Sequence, residues 1–366
     1  MPKTGTLRKK GNFYYYRFYH EGKQIEISTG QSSKREAIRR ANEIYAETAL
    51  KPNDPSYSIQ TLLSRHLEGE KQRLELSSYK EKERILTTHF MTHFGPKKDI
   101  REIKVWDIEA YIHEKLKTLS SNTVNKHFHL INNFFKFLQK NEIITTNPAE
   151  LADRPKKTKS KVAQTLTAEQ ARHYVDALKN EDSSFEIAVH LALFGGLRRE
   201  EVVGLRFPHV DIIDGQAHCD IQTVITVADG EIIYKKPKAN AYGIVPLPVE
   251  TTTLIQAQHT RMLEAKLRYG PALVQDYIVG TDIFTHVQPD WITRTNRKML
   301  EKYNLPPVRF HDLRHTHASL LYQNGVDIKD ISDRLRHSTL SITADIYVHN
   351  ENNKQAQLAK KMGEII

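Results

Sequence analysis

The chain has 366 residues, a formal charge of +10 and one cysteine, Cys219. A single cysteine excludes an intrachain disulfide framework and points to a reducing compartment, and no apolar run approaches the ~18 residues of a membrane span. The length suits two or three domains at ~150 residues each, and the opening MPKTGTLRKK lacks a secretory signal core, so a soluble cytoplasmic protein is expected.

Residues 1–50 hold ten Lys or Arg against five Glu. Within them FYYYRFY (13–19) and QIEIST (24–29) flank the turn HEGK and read as a β-hairpin. Ser33 and Glu36 form a capping-box pattern ahead of the helix KREAIRRANEIYAETAL. A small β-sheet plus one helix, carrying Tyr16, Arg17 and Tyr19 beside surplus positive charge, suits a DNA groove. Half-buried sheet packing is the plainer explanation of the tyrosines. The two prolines of KPNDPSYS (51–58) close this first domain, assigned to 1–54.

Residues 57–150 read as a four-helix domain. Its helices fall in LLSRHLEGEKQRLEL, near SYKEKERILTTHF, in VWDIEAYIHEKLK and in SSNTVNKHFHLINNFFKFLQKN. In the last, Val124, Phe128, Ile131, Phe135 and Leu138 make one apolar stripe. Asn147-Pro148 is read as the stop of that helix. A linker, 151–165, carries five Lys or Arg, among them Lys156, Lys157 and Lys159, against Asp153, leaving +1 for the rest of the chain. Charge gathered in an end domain and a linker suits a polyanion track, with a merely solvated basic surface as the alternative. Neither stretch has the apolar face of a membrane-surface helix.

In residues 166–366, Thr167 and Gln170 cap a helix, FEIAVHLALF leads to Gly195-Gly196, and LRREEVVGLRF follows. HCDIQTVITV, EIIYKK and YGIVPL read as strands within 218–247, with helices filling the remainder. Strands confined to one block predict a mainly α domain with a small antiparallel sheet, and an α+β multidomain class for the whole chain. RFHDLRHTHASLL (309–321) places His311 and Arg314 on one helical face with His315 beside them. HDLRH is close to the zinc motif H-E-x-x-H, but Asp312 replaces the Glu and Arg314 would set a permanent positive charge beside a dication. A phosphate is the other group that would draw this cluster, and a polar surface helix the third reading.

Three further stretches bear on the choice. GGLRREEVVGL sets Arg198 just past a Gly-Gly turn, KKPKANAYGIVPL offers Lys236 and Lys238 on a turn between strands, and DRLRHSTLSITADIYVHN holds His337 and, ten residues on, Tyr347. Together these residues resemble the tyrosine recombinases, the phage-integrase family. Gly196, Leu197, Arg198 and Glu201 match its G-L-R-x-x-E stretch, and His311, Leu313, Arg314 and His315 its H-x-L-R-H box. His337 and Tyr347 match its later histidine and its nucleophile.

The resemblance implies an arm-site DNA-binding domain (1–54), a core-binding domain (57–150), the basic linker and a catalytic domain (166–366). It implies that Arg198 and Arg314 grip the non-bridging oxygens of a phosphodiester while Tyr347 attacks phosphorus. His311 would give acid–base help, Lys238 (or Lys236) would protonate the departing 5′ oxygen, and His337 would donate to a phosphate oxygen, with Glu201 and His315 supporting. No metal and no cofactor is implied. The implied partners are double-stranded DNA at core and arm attachment sites, a homotetramer on that DNA, an excisionase and a DNA-bending host protein, all at the nucleoid. An integrase of a phage or other mobile element is the leading expectation, with a chromosome-dimer resolvase or an inactive DNA-binding relative as alternatives. The tail NENNKQAQLAKKMGEII is expected to reach a neighbouring protomer or to pack on its own domain. Where the family commonly has Leu-Gly-His this chain has Leu335-Arg336-His337, an arginine expected to contact the DNA backbone or to be exposed.

Overall fold

The structure is a computed structural model and describes residues 5–20, 23–49, 54–156, 164–228, 230–237, 243–337 and 362–364. It divides into two compact units, Met1–Lys159 and Ser160–Ile366.

The first unit opens with three antiparallel strands, β1 (Thr6–Lys10), β2 (Phe13–His20) and β3 (Lys23–Ser28), in the order β1-β2-β3. The hairpin expected from the aromatic runs is β2–β3; β1, with only Leu7 among its charged residues, carries no strand signal and was not anticipated. Alternation along β2 sends Tyr16 and Phe18 inward, where their rings stack at 4.9 Å and join Ala41 and Ile44 of α1 (Lys34–Ala49) in a small core. Tyr15, Arg17 and Tyr19 fall on the opposite face, Arg17 opposite Thr6 and Glu26.

A second core in this unit belongs to α2 (Ile59–Lys71), α3 (Leu76–Arg84), α4 (Thr92–Phe94), α5 (Val105–Leu116), α6 (Ser121–Lys140) and the short α7 (Pro148–Leu151). A π-helical stretch, Ile85–Met91, joins α3 to α4. The α6 stripe is buried as its spacing requires: Val124, Phe128, Ile131, Phe135 and Leu138 are each at most 1% exposed. Each such side chain contributes roughly 1.5–3 kcal/mol by leaving water. Two local expectations need correction. The segment 62–76 is not one helix, because α2 ends at Lys71 and α3 starts at Leu76. Asn147 does not stop α6, which has already ended at Lys140; its side chain accepts from the Ala149 and Glu150 amides and so starts α7, with Pro148 in the first turn where a missing N–H costs nothing.

The second unit begins with α8 (Ala168–Leu178), held by the Thr167/Gln170 capping box. Then come α9 (Ser183–Leu193), α10 (Arg199–Gly204), strands β4 (Val210–Ile213), β5 (Gln216–Asp220), β6 (Val224–Ala228), β7 (Glu231–Lys235) and β8 (Ile244–Pro246), and helices α11 (Val249–Tyr269), α12 (Pro289–Lys302), α13 (Phe310–Gln323) and α14 (Ile328–Arg334). The strands form two small antiparallel sheets, β4-β5-β8 and the hairpin β6-β7, rather than one. Ser184 through Leu193 of α9 are all buried, which is why that helix reads as a continuous apolar run: it is the axis on which the others pack. Mainly helical, with strands in one block, this unit matches the expected class. Among the described residues no helix is long and apolar enough to cross a membrane.

Candidate active site

The loop after α9 must turn sharply, and Gly196 does it with φ 64°. A β-carbon there would also lie 2.8 Å from Leu335 Cδ2 and 3.1 Å from His317 Cδ2, so both backbone and space demand glycine. The buried His317 fixes the same loop through a 2.7 Å hydrogen bond between Nδ1 and the Leu193 carbonyl. Past the turn, Arg198 is the N-cap residue of α10, and Glu201 three residues on receives its backbone N–H at 2.9 Å and its Nη1 at 2.8 Å. Glu201 is 1% exposed.

At the start of α13, Asp312 accepts from the backbone N–H, Nε and Nη2 of Arg309, between 2.8 and 3.0 Å. Asp312 therefore caps its own helix, and among the described residues no group of three or more His, Cys, Asp or Glu could hold a metal ion. One turn on, Arg314 is 2% exposed. Its Nη1 donates to the Gly196 carbonyl and its Nη2 to the Leu335 carbonyl. It forms no ion pair with a carboxylate among the described residues; burial and the nearby Arg198 pull its pKa down to about 9, which still leaves it charged at neutral pH. A buried guanidinium without a carboxylate costs several kcal/mol in a folded protein. Such a group is stabilised when an anion arrives, and this makes the pocket a functional candidate.

The histidines respond first to burial and then to the same uncompensated charge. The rings of His311 and His315 meet edge-on at 5.1 Å. Packing, His315 and Arg314 lower the pKa of His311 to about 4 even though the residue is exposed. Burial, Arg314 and Arg198 likewise hold His337 at about 4, and burial also lowers His315. All three imidazoles are neutral near pH 7, where a neutral ring can take a proton.

The end of α14 completes the pocket. The amide of His337 bonds the Ser332 carbonyl at 3.1 Å and that of Arg336 the Asp333 carbonyl at 2.9 Å, a Schellman ending. Its left-handed position, normally glycine, is Arg336 with φ 55°. The turned backbone aims the Leu335 carbonyl at Arg314 and the Arg336 carbonyl at Arg198 Nη2, 3.4 Å away. The Arg336 side chain, expected from its sequence context to contact the DNA backbone or to be exposed, is not exposed. The residue is 8% exposed and its Nη2 meets Glu201 Oε2 at 2.5 Å.

Arg198, Glu201, His311, Arg314, His315 and His337 thus converge, although up to 139 positions separate them in sequence. Lys236 is exposed directly after β7, while Lys238 and Tyr347 lie outside the described residues, as do Lys157, Lys159 and all of the tail except 362–364. Lys156 is exposed, its carbonyl accepting from the Ser121 hydroxyl. Tyr16, taken from the sequence as a DNA-contact candidate, is corrected by the structure: it is 0% exposed because β2's alternation puts it in the core, whereas Tyr19 is 71% exposed. Sequence reasoning missed Arg336 as part of the site; the only signal available was a bulky residue at a position that ends a helix.

Comparison with known proteins identifies the family. Residues 164–354 match the model of the phage integrase family. The ICEBs1 integrase of Bacillus subtilis is 25% identical over 351 residues, 94% of each chain. A tyrosine recombinase XerC-like protein of Caldanaerobacter subterraneus is 28% identical over 250 residues, 63% of each chain. Among solved structures, the Tn1549 transposon integrase in complex with a circular intermediate DNA superposes with a TM-score of 0.68 at 16% identity, over 83% of this chain and 100% of that one. A lambda integrase tetramer bound to a Holliday junction gives 0.60 at 17% identity, over 93% and 96%. The family match covers more than half the chain, and the chain belongs to the phage integrase family.

Proposed function

We propose that this site-specific DNA recombinase cuts and rejoins DNA through a 3′-phosphotyrosine on Tyr347, with the pocket around Arg314 holding the scissile phosphate. In cleavage the Tyr347 oxygen bonds to phosphorus, its proton passes to His311, and the bond from phosphorus to the 5′ oxygen breaks. Lys238, or Lys236, supplies the proton with which the 5′ oxygen leaves. Rejoining runs the same exchange backward with a 5′ hydroxyl from another strand, so one phosphoester replaces another and no nucleotide triphosphate is consumed. Arg198 and Arg314 neutralise the charge that builds on the non-bridging oxygens, and His337 donates to one of them. The observation that carries this reading is Arg314 itself, buried and held by two carbonyls that orient it without cancelling its charge.

Residues 1–54 are proposed as the arm-site module, 57–150 as the core-binding domain, 151–165 as a basic strap along DNA and 166–366 as the catalytic domain. Integration of a mobile element is favoured over chromosome-dimer resolution because the ICEBs1 integrase matches 94% of the chain, its amino-terminal part included, against 63% for the XerC-like protein. The proposed working form is a tetramer on DNA, as the lambda integrase tetramer is on a Holliday junction, located at the nucleoid with an excisionase and a DNA-bending protein setting direction. The test is a nicked suicide substrate in excess EDTA. The chain should form a covalent adduct there, and Tyr347→Phe should bind the same DNA without forming one. An adduct trapped by the Phe variant, or cleavage that EDTA abolishes and zinc restores, would refute the proposal.

A further inference from the structure

Arg336 stands where a helix ending favours glycine, and its side chain is folded back into the pocket. Glu201 receives Arg198 on one oxygen at 2.8 Å and Arg336 on the other at 2.5 Å. The Arg336 carbonyl also receives Arg198 Nη2. The Arg336 Nε and Nη1 are buried without a hydrogen-bond partner. Its Cδ is so close to the chain that a β-carbon at Gly243, just before β8, would lie 3.2 Å away. The guanidinium is thus wedged between α10 and β8 and engaged through one nitrogen only. Two guanidiniums, those of Arg198 and Arg336, share the carboxylate of Glu201, while the third in the pocket, that of Arg314, is held by the Gly196 and Leu335 carbonyls.

We infer that Arg336 is a positioning residue for strand cleavage, which draws off half of Glu201's charge so that Glu201 orients Arg198 without neutralising it. The inference rests on the reading of Arg198 as a phosphate ligand. A carboxylate serving one arginine alone would form a closed ion pair with it, and a closed pair has little charge left for a phosphate. Divided between two, the same carboxylate keeps its grip on the Arg198 backbone amide and Nη1 while the pocket retains two net positive charges. The left-handed backbone serves the same end, because it turns the 335 and 336 carbonyls toward the two arginines that face the phosphate.

The test compares Arg336→Gln, Arg336→Gly, Glu201→Gln with Arg336→Gln, and Arg198→Ala in the full chain. Single-turnover adduct formation and core-site affinity are measured for each. Arg336→Gly occupies φ 55° without strain, so it keeps the question open if the Gln variant folds poorly. Both single variants are expected to lose ten- to a hundredfold in cleavage rate with affinity within about threefold. The double variant, which restores the net charge, should recover at least tenfold over Arg336→Gln. The defect should also shrink on a substrate whose scissile phosphate is a methylphosphonate, which needs less neutralisation. A packing role predicts neither the recovery nor the substrate effect. Cleavage within twofold of the parent by both single variants, while Arg198→Ala is inactive, overturns the inference and leaves the phosphate site standing. A double variant no better than Arg336→Gln, with an undiminished defect on methylphosphonate, overturns it too. An Arg198→Ala chain that cleaves normally instead removes the reading on which it rests.

Discussion

Arg17 on the outer face of β2 and Arg314 on α13 are the same residue type in opposite surroundings. The Arg17 side chain is 35% exposed and lies 3.3 Å from Glu26, on a face it shares with Tyr19. Arg314 is 2% exposed and held by two backbone carbonyls. A partly exposed arginine keeps part of its hydration and its ionic atmosphere, so it can add affinity that salt screens but little chemistry. A buried one has exchanged water for fixed dipoles and meets an arriving phosphate at full strength, without reorganising. On the proposed reading, positive charge in this chain does two jobs, adding affinity on the sheet and stabilising charge in the pocket.

The largest effect should come from altering the two pocket arginines, Arg314 and the partly exposed Arg198. Arg314→Lys and Arg198→Lys keep the charge but lose the planar fork, and each should lower single-turnover cleavage by roughly 10²–10³-fold with much less change in affinity. Rates near the parent's for both would erase the distinction between the two regions.

A smaller effect follows from the histidines. His311 and His337 sit at about 4 in the free protein, below the ordinary imidazole value, chiefly because burial disfavours the charged ring, with His315 and Arg314 adding to this at His311 and Arg314 and Arg198 at His337. A bound phosphate favours the imidazolium and raises both, so DNA binding should take up protons between about pH 4 and 6.5 and tighten as pH falls through that window. Calorimetry in buffers of different ionisation enthalpy measures the uptake, and His311→Gln with His337→Gln should abolish it; a flat profile in the parent would mean that phosphate does not reach the rings. The same sign governs stability. Histidines held near 4, the buried His317 among them, bind protons first in the unfolded chain, so stability is lost as pH falls from about 6.5 toward 4.

The mildest change should be on the sheet. Arg17→Ala with Tyr19→Ala should weaken arm-site binding several-fold and reduce the slope of log affinity against log salt by about one. Suicide-substrate cleavage at the core site should be untouched. A cleavage defect equal to the binding defect would sharpen the comparison in the other direction, tying the shallow charge to the chemistry.

What could be read from the sequence follows the range of the interactions involved. The α6 stripe and the Thr167 capping box are legible because their partners lie three or four residues away. The glycine turn before Arg198 and the shared face of His311, Arg314 and His315 are legible for the same reason. Strand β1 was missed because its pairing with β2 supplies the order that its own residues do not signal. Tyr16 and Tyr19 look alike in a run of aromatics, and only the phase of the strand against α1 sends one inward and the other out. Asn147 before Pro148 can end one helix or begin another, and the early end of α6 settles it. Arg336 meets Glu201 across 135 residues, a distance over which no local pattern carries information.

The carbonyls of Gly196, Leu335 and Arg336 that hold the two arginines belong to the main chain, which every residue type carries. Side-chain mutation cannot delete them; only a change that rebuilds the backbone at Gly196 or at the end of α14 can. The proposed reactive centre is thereby insulated from genetic drift in the side chains around it. On the proposed reading, surfaces that read DNA sequence would change over generations, or in a selection for new target sites, while the backbone that holds these two arginines passes through unaltered.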